Sequence, residues 1–291
     1  MKVSFIGLGV MGYPMAGHLQ QNGYEVTVFN RTPARTNQWI KQYGGRSAAT
    51  PAEAASDAAI VFVCVGNDDD VRSVVLGEQG SLNQMRTGSV LVDHTTASAD
   101  LALELHTLCR AVDVGFIDAP VSGGQAGAEK GVLTVMCGGL QEDFATVESV
   151  MTSYARCVRL LGGAGSGQLA KMVNQICIAG IVQGLAEAMT FSELAGLDTA
   201  AVIEVIRQGA AQSWQMENRY QTMLQDHYNH GFAVDWMRKD LGLVQERAKQ
   251  LGVSLPVTQL VDGYYAEIQA MGGGRWDTSS LFKRMQTKNG G

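Results

Sequence analysis

A short β-prone run, Val3-Ser-Phe-Ile, leads directly into Gly7-Leu8-Gly9-Val10-Met11-Gly12, and a helix-forming stretch from Met15 to Gln21 follows. A G-x-G-x-x-G pattern alone carries little weight, but between a strand and a helix it restricts the chain to one tight βα unit. In that setting Gly7 allows the turn, Gly9 lets a pyrophosphate approach the backbone, and Gly12 lets the helix pack against the strand. Free N–H groups and the dipole at the helix start favour phosphate charge. The segment reads as a dinucleotide phosphate loop, with Leu8, Val10 and Met11 completing it. A glycine-rich turn without a ligand is the plainer alternative.

The following strand, Tyr24 to Phe29, runs into Asn30-Arg31-Thr32. A carboxylate at this strand end would hold the ribose 2′-hydroxyl of NAD. Asn30 does not repel a 2′-phosphate, and Arg31 can pair with it through two parallel hydrogen bonds and stack on the adenine. Thr32 adds a hydroxyl and suits the N-cap of a helix opened by Pro33. A solvated arginine beside a helix cap is the competing explanation. The expected cofactor is NADP(H) in preference to NAD(H).

β-Branched runs then alternate with helical stretches, the pattern of a parallel sheet with crossover helices. Strands are expected at 3–6, 25–29, 60–65, 90–92, 115–118 and 133–137, and helices at 12–22, 33–42, 69–76, 99–110 and 142–152. The character changes near residues 160–168. Beyond Gly162-Gly-Ala-Gly165-Ser-Gly167 the composition turns to Ala, Leu, Met, Gln and Glu, and helices are expected at 168–195, 199–209, 214–225, 235–251 and 256–271. The expected fold class is α/β: a Rossmann-type doubly wound parallel sheet over 1–163, then an all-helical substrate and oligomerisation domain over 164–291. Gln286 to Gly291 are expected to be disordered.

Composition narrows the partners. A net charge of −6, with no Lys/Arg run, argues against a nucleic-acid surface. Cys64, Cys109, Cys137, Cys157 and Cys177 are odd in number and scattered, which suits buried thiols in a reducing compartment better than disulfides or zinc. Nothing before the first strand resembles a cleavable signal, and no apolar run approaches the roughly 20 residues of a membrane span. A cytoplasmic protein with no membrane and no metal is expected.

Three constellations bear on chemistry. In Asp118-Ala-Pro-Val-Ser122-Gly123-Gly124, consecutive backbone N–H groups and the Ser122 hydroxyl can hold a carboxylate, or the segment is a surface turn. Lys171, Asn174 and Gln175 share one helical face. Lysine has a reference pKa of about 10.4, and burial lowers it toward roughly 7–8, so Lys171 is a candidate proton shuttle; a solvated helix lysine fits the same spacing. Trp236, Lys239, Asp240 and Leu243 also share a face, although Lys239 and Asp240 alone suggest a surface pair. Asp68-Asp69-Asp70 reads as a helix cap. His94, near the expected cofactor edge, is either a ligand contact or a polar loop residue. Trp214 either limits substrate size or packs in a core.

Together these segments resemble the β-hydroxyacid, or 3-hydroxyisobutyrate, dehydrogenase family. The resemblance runs nearly end to end, through FIGLGVMGYPMAGHL at the start, DAPVSGG at 118–124, GSGQLAKMVNQ at 165–175, RKDLGL at 238–243 and a late stretch around Asp277 and Ser279. It implies that Lys171 is the proton donor and acceptor and that Ser122, Gly123 and Gly124 hold the substrate carboxylate. Asn174 and Gln175 would line the same pocket, and Lys239, oriented by Asp240, would close over nicotinamide and substrate. Val65, Gly66, Asn67 and Thr96 would contact the cofactor. Gln175, where many members carry Asn, is similar to the tartronate semialdehyde reductase branch. Asn30-Arg31-Thr32 looks more like glyoxylate and succinic semialdehyde reductases that use NADPH.

The implied reaction interconverts a small hydroxyacid and its aldehyde acid. Hydride passes between nicotinamide and carbonyl carbon while Lys171 protonates the alkoxide, and the anchored carboxylate fixes which carbon faces the ring. Imine reductases share the architecture but typically lack the lysine. A non-catalytic dinucleotide-binding scaffold would need none of Lys171, Ser122 and Lys239. A homodimer or homotetramer is expected on the family's account.

Overall fold

A computed structural model describes residues 1–289. The chain divides into two compact units, Met1–Lys171 and Met172 onward.

In the first unit the strands are β1 (Lys2–Ile6), β2 (Glu25–Phe29), β3 (Arg46–Ser47), β4 (Ile60–Val63), β5 (Val90–Asp93), β6 (Gly115–Asp118), β7 (Val121–Ser122), β8 (Leu133–Gly139) and β9 (Ala155–Leu160). The helices are α1 (Gly12–Gln21), α2 (Pro33–Tyr43), α3 (Pro51–Ala55), α4 (Asp68–Leu76), α5 (Ala99–Arg110), α6 (Gly124–Glu129) and α7 (Gln141–Met151). The sheet order is β3-β2-β1-β4-β5-β6-β8-β7, with β9 added beside β8. Strands β3 to β6 along this order are parallel, and β8 turns antiparallel against β6 and β7.

Side chains alternate across a strand, so neighbours face opposite layers. Phe5, Val28, Phe62 and Val92 point to the face covered by Leu19, Trp39 and Val147 of α1, α2 and α7. Ile6, Val61, Val63 and Leu91 point to the other, covered by Val71 of α4 and Leu101 and Leu105 of α5. This two-sided burial is why β4, β5 and β6 read as apolar runs, the last two ending in Asp93 and Asp118. It is a Rossmann-type doubly wound sheet.

The expectations missed β3 and β7, each two residues long and too short to show a period. They also missed β9, where Arg156 and Arg159 interrupt the apolar pattern on exposed positions. Helix α6 was not among the expected helices. Asn67, not the aspartate run, caps α4: its Oδ1 accepts from Asp70 N at 2.9 Å. The three aspartates fill the first turn, where they favour the dipole. Thr32 occupies the N-cap position of α2, but its side chain makes no capping bond. The thiols are not uniformly buried. Cys109 and Cys137 are, and burial pushes both up to about 12, but Cys157 and Cys177 are exposed.

The second unit contains most of α8 (Ser166–Leu194), which begins in the first unit, then α9 (Thr199–Ile206), α10 (Trp214–Leu224), α11 (Val234–Leu251), α12 (Pro256–Ala270) and α13 (Leu281–Asn289). Its core joins Val182 and Met189 of α8 to Met237, Leu241, Tyr265 and Phe282. Asp277, buried at the turn before α13, accepts from Phe232 N at 2.8 Å and Ser279 N at 3.0 Å and pairs with Arg219 at 3.2 Å. The tail from Gln286 to Asn289 is helical rather than disordered, whereas Gly290 and Gly291 lie outside the described residues. The 29 residues of α8 reach a mean hydropathy of 1.3 over an 18-residue window, enough in length and composition to cross a membrane. The sequence reading had found no such segment. In this fold Ala179, Val182, Ala186 and Met189 spend that apolar character on the unit's core.

His94 lies in the loop that follows β5, as one of the two expectations had it, but it is buried rather than placed on a surface. It is 1% exposed and lies flat against Phe62, with ring centroids 5.7 Å apart. Its Nδ1 is 2.6 Å from Ala119 O and its Nε2 is 2.8 Å from Tyr154 Oη. A neutral ring donating to the carbonyl and accepting from the tyrosine satisfies both contacts. Burial lowers its pKa to about 4 from an ordinary 6.5. Between those values the unfolded chain binds the proton more readily, so the stability from neutral His94 is present above pH 6.5 and is lost as pH falls toward 4. Asp93 and Asp118 titrate with the opposite sign, their pKa values raised to about 7 and about 6 by burial. The comparison with His94→Gln isolates the histidine. Wild type will be the more stable at pH 7.5, and denaturant titrations will show the gap narrowing by on the order of 3 kcal/mol toward pH 4. A pH-independent gap would contradict this assignment.

Candidate active site

The phosphate loop follows β1 without slack. Gly7 has φ +99° and donates from its N–H to Phe29 O at 2.9 Å. A Cβ there would stand 2.2 Å from Cys64 O, and one on Gly12 would stand 2.0 Å from Gly7 O. Both glycines are therefore demanded by backbone meeting backbone. Gly9 differs, because a Cβ on it would meet nothing within 4 Å. Helix α1 has Met11 at its N-cap position, with no side-chain capping bond and no acid in its first turn. An open face at Gly9 beside uncapped helix N–H groups fits a pyrophosphate.

Asn30 holds this loop: its Oδ1 accepts from Leu8 N at 2.9 Å and its Nδ2 donates to Thr32 O at 3.2 Å. Arg35 holds the other side, donating from Nε to Leu8 O at 3.0 Å while its guanidinium lies 4.2 Å from the Tyr13 ring centre. Leu8 is buried, whereas Val10 is exposed. The sequence reading missed Arg35, which acts across 27 residues. Arg31 points outward, with its side chain 89% exposed and 3.5 Å from Asp70. Val65, Gly66, Asn67 and Thr96 follow the C-terminal ends of β4 and β5, where such sheets bind ligands. Val65 N donates to Thr95 Oγ1 at 3.1 Å, and Thr95 N donates to Asp93 Oδ1 at 2.9 Å.

The Asp118–Gly124 segment leaves β6 and forms β7 before α6. Gly123 and Gly124 take φ of +132° and +61°, conformations that a side chain would strain. Ser122, Gly123 and Gly124 are all partly exposed. Lys171 is 7% exposed, and its Nζ donates to Val121 O at 2.9 Å. It is not a solvated surface lysine. The contact places the ammonium beside the residue that precedes Ser122. Asp118 and Gln168, not singled out from sequence, tie the start of α8 to the ends of β5 and β6.

The second unit gathers a separate polar cluster. Asn174 Nδ2 donates to Gln175 Oε1 at 2.8 Å, and Gln175 Nε2 donates to Asp240 Oδ2 at 2.7 Å. Lys239 Nζ lies 3.0 Å from Asp240 Oδ1, where the side chains are 23% and 2% exposed. This is a largely buried pair rather than a surface one. Its charges are compensated by a hydrogen-bonded amide, as burial requires. Trp214 is 41% exposed and stacks on Arg219, at 4.8 Å, so it is not a core tryptophan.

A family model described as the NAD binding domain of 6-phosphogluconate dehydrogenase matches residues 2–163. A second, described as NAD-binding of NADP-dependent 3-hydroxyisobutyrate dehydrogenase, matches residues 165–285. The chain is 62% identical over 285 residues to an uncharacterized oxidoreductase of Shewanella frigidimarina, covering 98% of each. It is 38% identical over 290 residues to a probable 3-hydroxyisobutyrate dehydrogenase-like 2, mitochondrial, of Arabidopsis thaliana, covering 99% of this chain and 95% of that protein. The crystal structure of 3-hydroxyisobutyrate dehydrogenase from Salmonella typhimurium superposes with a TM-score of 0.88 at 29% identity, covering 97% and 99%. With a pyridine-nucleotide fold in its first unit and both family models matched in order, the chain belongs to the β-hydroxyacid (3-hydroxyisobutyrate) dehydrogenase family of NAD(P)-dependent oxidoreductases.

Proposed function

We propose that this chain is an NADP(H)-dependent reductase of small aldehyde acids, working reversibly on the matching hydroxyacids, with Lys171 as proton donor and acceptor. The hydrogen bond from Lys171 Nζ to Val121 O carries this reading. It ties a buried ammonium to the strand whose next residues, Ser122 to Gly124, offer a hydroxyl and backbone N–H groups to a carboxylate. Reduced nicotinamide, held through the Gly7–Gly12 loop and the ends of β4 and β5, would supply the hydride. Lys171 Nζ gives its proton to the carbonyl oxygen as negative charge develops there, and is reprotonated from solvent. In the oxidative direction neutral Lys171 takes the hydroxyl proton. The Ser122–Gly124 segment holds the carboxylate and so fixes which carbon reacts. Asn174, Gln175, Lys239 and Asp240 are assigned to the substrate on the strength of their hydrogen-bonded cluster.

The residues at the end of β2 support NADP(H). Asn30 is spent on holding the loop, and it leaves no carboxylate there to repel a phosphate. Arg31 would exchange its exposed partner Asp70 for the 2′-phosphate. An exposed ion pair is worth about 0–1 kcal/mol, less than a bidentate phosphate contact, so the exchange is favourable. A homodimer or homotetramer is part of the same reading, supported by Phe191, Leu194, Val205 and Leu260, which the second unit leaves exposed.

Two outcomes check these assignments. Purified protein will oxidise NADPH with at least one of glyoxylate, succinic semialdehyde, tartronate semialdehyde and methylmalonate semialdehyde, and Lys171→Ala will lower kcat by on the order of 100- to 10,000-fold. Tight NADPH binding without turnover of any of the four would contradict the reading and favour an imine substrate or a binding scaffold. In fluorescence titrations Arg31→Ala will weaken NADPH binding by roughly 1.5–3 kcal/mol and leave NADH binding unchanged. Equal losses for both cofactors would place Arg31 elsewhere than at the 2′-phosphate.

A further inference from the structure

Asp118 ends β6, and its carboxylate receives the first turn of α8. Oδ1 accepts from Gly165 N at 2.7 Å and Oδ2 accepts from Gln168 N at 2.9 Å. The backbone of Gly167 also bonds to it. Glycines wall this site. A Cβ on Gly138 would stand 2.6 Å from Oδ1, and one on Gly167 would stand 2.8 Å from Oδ2. The carboxylate is fully buried, and that burial raises its pKa to about 6 while the backbone donors act against the rise.

Gln168 supplies a second tie. Its Nε2 donates to Thr95 O at 2.8 Å and its Oε1 accepts from Ala97 N at 3.0 Å, so the buried amide pairs with backbone between β5 and α5. Lys171 follows on the same side of the helix, three residues on, where side chains at i and i+3 are neighbours. Its Nζ bonds to Val121 O, three residues after Asp118 in the chain. The segment 118–121 is thus fastened to α8 at both ends, once through its carboxylate and once through its carbonyl. Because successive residues turn about 100° around a helix, a shift of α8 by one residue breaks all of these bonds. A serine or threonine would cap a helix by satisfying one donor without burying charge. A buried carboxylate that takes several donors fixes position as well.

We propose that Asp118 and Gln168 are positioning residues for Lys171: the carboxylate locks the first turn of α8, the amide fixes its rotation, and together they set where Nζ stands beside Ser122–Gly124. This rests on the reading of Lys171 as the proton donor. A displacement of about 1 Å at a reacting group can cost 100-fold in rate. The effect of the Asp118 lock therefore belongs in kcat, whereas Gln168 also holds the backbone on either side of Thr96, an expected cofactor contact.

The test uses the full chain with Asp118→Asn, Gln168→Met and Lys171→Ala. NADPH affinity, kcat and KM are measured with whichever of the four aldehyde acids the wild type reduces. The Lys171 ε-carbon is followed by NMR in ¹³C-lysine-labelled protein, assigned by its loss in Lys171→Ala. Asp118→Asn will lower kcat on the order of 100-fold with NADPH affinity and KM unchanged, and Gln168→Met will lower kcat on the order of 10-fold with KM unchanged. The Lys171 resonance and its titration will move in both variants. If Asp118→Asn does not fold, Gln168→Met alone decides. Wild-type kcat with an unmoved Lys171 resonance would overturn the proposal. So would a rise in KM together with a fall in kcat, NADPH affinity and melting temperature, which marks a merely structural role. Undiminished turnover by Lys171→Ala would remove the proton-donor reading itself. An inactive Lys171→Ala beside fully active Asp118→Asn and Gln168→Met would remove the positioning claim alone.

Discussion

The buried carboxylate of Asp118 lies at the junction where the end of β6 meets the start of α8. A helix begins with N–H groups that have no partner within it, and buried ones must find acceptors. Here β6 ends in a side chain that takes Gly165 N and Gln168 N, so the end of that strand and the start of α8 share one point. Lys171 then lies one turn inside α8 and reaches back to Val121 O. The arrangement is possible because Gly138 and Gly167 bring no side chains to the spot. Desolvating a carboxylate is costly, and the converging backbone donors are what make the site tolerable.

The same economy of side chains shapes the cofactor loop. Gly7 and Gly12 are required by contacts within the fold, since β1, α1 and the end of β4 touch through backbone. Gly9 is the one of the three that opens onto space, since a Cβ on it would meet nothing within 4 Å. Asn30 closes the loop from the neighbouring strand and in doing so removes the carboxylate that would select NAD. In the proposed reading, cofactor choice and loop geometry therefore meet in one residue. Arg31, exposed and lightly held by Asp70, remains to supply the charge.

The elements legible in the sequence are those whose cause is local. Glycine spacing, the apolar runs of β4 to β6 and the helical stretches after residue 168 all follow from short-range period or turn chemistry, and the doubly wound sheet with its helical partner follows from their order. What stayed hidden depends on partners distant in the chain. Gln168 meets Thr95 across 73 residues and Asp118 across 50, so nothing in the spacing of either signals a bond. His94 looked like a strand-end polar group because its partner Tyr154 lies 60 residues away. Lys239 and Asp240 looked like a surface pair until Gln175, from another helix, buried them together. The motif residues of the proposed site were visible as residue types; their burial and hydrogen bonds were not.

The central claim is that hydride goes to the carbonyl carbon of an aldehyde acid while Lys171 protonates its oxygen. Reduction with NADPH deuterated at the transferred position of the nicotinamide tests this most directly, with the product analysed by mass spectrometry and NMR. The account predicts one deuterium on the new carbinol carbon, a hydroxyl proton from solvent and an intact carboxylate. A product without deuterium at that carbon, or deuterium appearing only in an amine when an amine is supplied with the aldehyde, would contradict it.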